Sequence, residues 1–207
     1  MTISVSYDSG LGSFSVAQYL SAWATGFATA GHGSSNTGGF SNGSLSGDQY
    51  ATHGANGSDY AFIADSDTSN GLHYVFNPLL AASDNKNHFL WGELDNVELG
   101  TGLSGGGGSD FSLTDFKVAF NGLDLSAASD AGRVGNEVQG VIYGLMQGNT
   151  AALATVLTEL LGEIGEDLNS SFDDIAAAVA SHAASAATTD VALVGVQDVA
   201  QDWAIAA

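Results

Sequence analysis

A chain of 207 residues is one domain's worth and can bury a core without disulfides or a structural metal. Cys is absent, which excludes a thiolate nucleophile, a Cys-based zinc site and an iron–sulfur cluster. Only Lys86, Lys117 and Arg133 are basic against 23 acidic residues, and the formal net charge of -20 excludes nucleic acid and anionic lipid as partners and favours a monomer.

The N-terminal MTISVSYDSG has neither a basic region nor a long apolar run, so it does not read as a secretory signal peptide. The late stretch AAAVASHAASAATT is mostly Ala and is broken by polar residues, so it does not read as a membrane span. On these signs alone the protein reads as cytoplasmic. ISVSY alternates and predicts a short strand with Ile3, Val5 and Tyr7 on one face. A helix follows: Ser15 can cap it, Gln18 can close a capping box, and Phe14 and Tyr19 occupy hydrophobic-staple positions. Val16, Tyr19, Leu20, Trp23 and Phe27 form its apolar stripe.

From about Gly31 to Gly57 the chain is rich in Gly, Ser, Asn and Thr, which predicts a long loop of the kind that carries function. Short β-rich runs come next: YAFIA, GLHYVF, HFLWGEL, NVEL and FSLTDFKVAF, separated by turn-rich segments, in an antiparallel meander. In GLHYVF, Tyr74 shares a face with Leu72 and Phe76, while His73 points the other way. The period then changes to helical. Val134, Val138, Val141, Ile142 and Leu145 mark one helix. Thr150 opens a second, with Leu153, Val156, Leu157, Leu160 and Leu161 inward, and Ser170 or Ser171 opens a third through Phe172, Ile175 and Val179. Strands in the middle and helices at both ends make an α+β fold, a sheet with about four helices on one face. Residues 1–187 form the single domain, and 188–207 read as a tail with few structure signals.

The residues alone do not select an enzyme. Five histidines, His32, His53, His73, His88 and His182, show no i, i+4 pair and no HExxH. No serine sits in a strand–turn–helix nucleophile elbow, and GGGGSDF, similar to one calcium-binding nonapeptide, occurs once. A solvated loop position for His32 and an ordinary half-buried strand position for Tyr74 both remain open from composition.

Six segments in order nevertheless resemble one family: SNTGGF at 35–40, SLSGDQYA at 44–51, GLHYVF at 71–76, HFLWGELDNVELG at 88–100, VIYGLMQG at 141–148 and SSFDDIAAA at 170–178. Together they are similar to the HasA-type haemophores of Gram-negative bacteria. The resemblance implies a curved antiparallel sheet backed by helices, with haem held between two loops. It implies that His32 and Tyr74 bind the two faces of the haem iron and that His88 hydrogen-bonds the Tyr. Tyr50, Phe76, Leu90, Tyr143 and Met146 become pocket residues by motif position. Two departures from the family stand out: the inserted LLAASDNKN lengthens the segment between Tyr74 and His88, and Gln139 stands where members carry His.

The resemblance also reverses the localisation. It implies an extracellular carrier, not an enzyme, that leaves through an ABC-type (type I) exporter directed by an uncleaved tail, here VQDVAQDWAIAA. Its cargo would be ferric haem b, taken from donors such as haemoglobin and delivered to a TonB-dependent outer-membrane receptor for iron acquisition. Phenolate is a hard anionic donor that favours ferric iron, and a neighbouring His can tune its basicity. With so few basic residues, the haem propionates are expected to face solvent. Three other readings stay open: a secreted acidic calcium-binding or adhesive protein without haem, a catalase-type enzyme, and an interaction module without a ligand.

Overall fold

The computed structural model describes residues 3–28 and 38–194, with side chains described as far as 185. Eight strands form one sheet: β1 (Ser4–Tyr7), β2 (Gly39–Phe40), β3 (Ser46–Gly47), β4 (Gln49–His53), β5 (Tyr60–Asp65), β6 (Leu72–Phe76), β7 (His88–Ser104) and β8 (Ser112–Ala127). Four helices accompany them: α1 (Val16–Phe27), α2 (Glu137–Met146), α3 (Ala151–Glu163) and α4 (Phe172–Val194). Every pairing is antiparallel. The fold is α+β, an open antiparallel sheet with helices packed against it.

The sheet is more than a meander. Its main path runs β1-β8-β7-β5-β4-β2, while β6 pairs with β3 and β7. The long strand β7 organises it. Val97 pairs with Ala64 of β5 and with Phe120 of β8, so those strands flank it on opposite sides. Gly92 likewise pairs with Leu72 of β6 and Ala127 of β8. Strands β5 and β6 therefore lie end to end along one edge of β7. HFLWGEL and NVEL, which the sequence separates, are one strand with a register shift between Leu94 and Asn96. Asp95 at that irregularity is buried and accepts from the Asp67 N–H at 2.7 Å and the Ser66 hydroxyl, holding the chain where it passes from β5 to β6. Gly92 has φ +113, and a Cβ there would collide with the Gly71 carbonyl. Only Gly lets β6 approach β7 this closely.

The helix starts follow local chemistry. Ser15 and Gln18 make the reciprocal capping box of α1, and the inward stripe is Val16, Tyr19, Leu20, Trp23 and Phe27. The expected staple partner differs. Phe14 stays 45% exposed, and the ring beside Tyr19 is Phe172, with centroids 5.9 Å apart. The Phe14 carbonyl instead accepts from the Phe172 N–H, tying the starts of α1 and α4 together. Val134 lies outside α2 and is 82% exposed, because Gly135 turns at φ +74 and Asn136 caps the helix by accepting from the Gln139 N–H. Thr150 occupies the N-cap of α3 without a side-chain cap bond. Ser171 caps α4 through the Asp174 N–H, and that helix runs to Val194, past the boundary expected near Thr188. The apolar faces of all four helices join the inward residues Phe62, Leu72, Leu90, Leu94, Val97, Leu99, Val118 and Phe120 in one core.

Candidate functional site

The segment expected to be wholly loop up to Gly57 contains β2, β3 and β4 among its described residues. Those short strands build one wall of a cleft. Gln49–His53 pairs with β5, which places Tyr50 inward against Phe40, with ring centroids 5.1 Å apart and nearly perpendicular. Gly38 passes so close over Tyr50 that a side chain there would collide with the phenol. The opposite wall is the β6–β7 hairpin. Tyr74 faces Leu90, and Phe76 faces His88. Residues opposite one another in an antiparallel ladder project to the same face, so Tyr74 and His88 are diagonal neighbours. Their rings lie 6.3 Å apart at 62°. The inserted segment bulges without separating them: the Asn77 N–H donates to the Asn87 carbonyl at 2.6 Å, and the Asn87 amide closes back onto the Asn77 and Leu80 carbonyls.

The floor comes from α2. Strand β8 covers β7 only from Gly92 onward, so Leu90 has no strand on that side. Two amide side chains take its place: Gln139 Oε1 accepts from the Leu90 N–H at 2.6 Å, and the Asn136 amide donates to the Leu90 carbonyl at 2.8 Å. Both side chains are buried. Pairing those backbone groups is worth more than the bonds alone, because an orphaned buried N–H is costly. One turn further along α2, Tyr143 and Met146 reach the cleft, and the Tyr50 hydroxyl donates to the Met146 sulfur at 3.3 Å.

The resulting cavity holds about 280 Å³ and is lined chiefly by Phe40, Leu45, Tyr50, Leu90, Tyr143 and Met146, with Ser44, Tyr74, His88 and Gln139 among its polar groups. Burial pushes the Tyr74 phenol above its ordinary range, and the positive charge of Arg133 works against that shift. Burial raises Tyr50 as well, followed by the effect of nearby Tyr74. Both are therefore neutral phenols in the free protein at neutral pH.

Six residues expected from motif position thus come together: Tyr74, His88, Tyr50, Leu90, Tyr143 and Met146. Phe76 does not line the cavity. It is 58% exposed at the outer end of the hairpin, because one β-turnover beyond Tyr74 the strand has left the cleft. His32 lies outside the described residues. Phe40, Leu45 and Arg133 were not expected here. Phe40 belongs to SNTGGF, one of the quoted segments, but Arg133 reaches His88 only through a loop whose path local sequence does not reveal.

Comparison with known proteins bears on this arrangement. A family model described as Heme-binding protein A (HasA) matches residues 1–207. The chain belongs to the HasA family. It is 40% identical over 185 residues to Hemophore HasA of Serratia marcescens, covering 87% of this chain and 93% of that one. Among solved structures, the apo hemophore HasA of Yersinia pestis is 26% identical with a TM-score of 0.65, covering 83% of this chain and 94% of that one. Its holo form is 25% identical with a TM-score of 0.66, covering 84% and 95%. The HasA fold and this chain's fold therefore agree over most of both lengths.

Proposed function

We propose that this protein is an extracellular haem carrier, a haemophore that takes up one haem per chain and hands it to a receptor without transforming it. The observation that carries the reading is a half-buried phenol, Tyr74, beside His88 on the wall of a largely apolar cleft in a chain of the HasA family. An apolar slot with few convergent polar groups suits a flat hydrophobic ligand. Its phenol is a hard donor of the kind that ferric iron favours.

In this reading Tyr74 supplies the principal iron bond as phenolate, and His88 hydrogen-bonds the phenolate oxygen. His32 takes the second face of the iron. Tyr50, Leu90, Tyr143 and Met146 grip the porphyrin, joined by Phe40 and Leu45. Phe76 stands at the rim and guides the ligand edge rather than packing on it. Iron supplies Lewis acidity, which helps remove the phenol's proton against the pull of burial. The cargo is ferric haem b from donors such as haemoglobin, and the acceptor is a TonB-dependent receptor on a Gram-negative outer membrane. Export is by an ABC-type machine that reads the C-terminal residues. No helix among the described residues is long and apolar enough to cross a membrane.

Titrating the purified protein with ferric haem tests the reading by absorption spectroscopy. The expected end point is one haem per chain with an iron–phenolate charge-transfer band. A protein that leaves the free-haem spectrum unchanged would refute it.

A further inference from the structure

Arg133 approaches the site from behind the β6–β7 hairpin. Its guanidinium Nη1 lies 3.1 Å from His88 Nε2, and Nη2 donates to the Ala82 and Asp84 carbonyls of the inserted segment. Its backbone N–H donates to Asn85, and so does that of Val134. The insertion is therefore folded around this arginine. A guanidinium has donors only and stays charged at any ordinary pH. A ring nitrogen within hydrogen-bond distance of it must accept, and a neutral imidazole whose Nε2 accepts carries its proton on Nδ1.

We propose that Arg133 is a positioning residue that holds His88 in its Nδ1–H form and in one ring orientation, so that His88 meets Tyr74 as a hydrogen-bond donor. The purpose of this arrangement rests on the haem reading above. A donor suits a phenolate, whose oxygen only accepts. Nothing local to HFLWGEL in the sequence foretells a guanidinium on the far nitrogen of His88. Lys would not reproduce this arrangement, because a point ammonium cannot span His88 and two carbonyls at once.

The test begins on the haem-free protein at pH 8. Long-range proton–nitrogen correlation spectra of the histidine rings, with His88 assigned through His88→Gln, should show Nδ1 protonated and Nε2 bare. In Arg133→Met the Nε2–H form should become the major one. Asn85→Ala, which removes the side-chain acceptor of the Arg133 and Val134 N–H groups but spares the guanidinium, should leave the tautomer as in the parent. An Nε2–H parent overturns the proposal even if Arg133→Met fails to fold. So does a tautomer unmoved by Arg133→Met or one displaced equally by Asn85→Ala. In the loaded protein the iron–phenolate stretching frequency should rise in Arg133→Met, since the oxygen loses a donor; an unchanged or lower frequency overturns the donor role. A parent with no such vibration would overturn the haem-ligand reading, while the haem-free spectra would still decide whether Arg133 sets His88.

Discussion

At the scale of single residues, the expected iron ligand Tyr74 is held by the sheet. Tyr74 sits on a strand paired on both sides: its N–H donates to the Leu45 carbonyl at 2.7 Å, and it lies opposite Leu90 on β7. Its backbone is therefore ordered before any ligand arrives, and little entropy is lost on binding. His32 stands in a Gly- and Ser-rich stretch of the sequence. Tyr74→Ala should weaken ferric haem binding at least tenfold more than His32→Ala, a gap of about 1.4 kcal/mol. Competitive haem titration of the two variants measures it, and equal losses would show that the loop ligand carries as much as the strand ligand. Much of this site was legible in the sequence, because the quoted segments bring Tyr50, Tyr74, His88, Leu90, Tyr143 and Met146 to one cleft. Phe76 falls outside the cavity lining, because alternation assigns a face but not how far along a strand the cleft extends. Arg133 was seen only as one of three scarce cations. Its role depends on the fold of an insertion that has no helical or strand period to read.

At the scale of elements, Gln139 fastens the join between α2 and β7. Its carbonyl oxygen accepts from the Leu90 N–H, a task for which an amide is well suited and which fastens the helix start to the cleft's floor. Gln139→Ala would leave that buried N–H without its partner and should cost about 1–3 kcal/mol in urea unfolding. A cost near zero would mean that water or another group replaces the amide. Periodicity identified α1, α3 and most of α2 because each has one buried stripe. It failed for Val134, where Gly135 and Asn136 override an apolar residue at the right spacing. It split β7 at Asp95, where the strand keeps going but the alternation does not. A second test concerns Asp65 at the end of β5, whose carboxyl is pushed up to about 6 mainly by burial, although Asn96 donates to it. Because the folded value lies above the unfolded one, the folded state holds the proton longer. The stabilising contribution is present below about pH 4 and is lost as pH rises through about 6. Asp65→Asn should therefore gain stability on the parent across that window and keep the gain above it. Denaturation midpoints of both proteins at pH 4, 5, 6 and 7 check the sign; a gap that narrows with rising pH would contradict it.

At the scale of the whole molecule, a net charge of -20 and a core shared by four helices describe a protein that repels its own copies and does not need staples. Among the described residues, those lining the cleft run from Gly38 to Met146, and α3 and α4 reach the core without lining it. Haem capture and the C-terminal residues can thus be separated physically. Helix α4 begins against β1 and α1, where Phe172 and Ile175 are buried, but its residues from 181 to 185 are exposed, so the anchoring contacts lie at its start. Removing residues 195–207 takes away the whole acidic-then-apolar segment VQDVAQDWAIAA, with Gly195, and leaves α4 intact. An exporter that recognises an uncleaved C-terminal signal should then fail to release the protein from the cell. The purified truncated chain should bind haem with unchanged stoichiometry and within about twofold of the parent's affinity, a difference of about 0.4 kcal/mol. Secretion assayed in cells supplied with the exporter, together with haem titration of protein recovered from lysate, keeps the two outcomes apart. Continued secretion would place the export signal elsewhere in the chain. Lost haem binding would mean that the last residues contribute to the folded carrier.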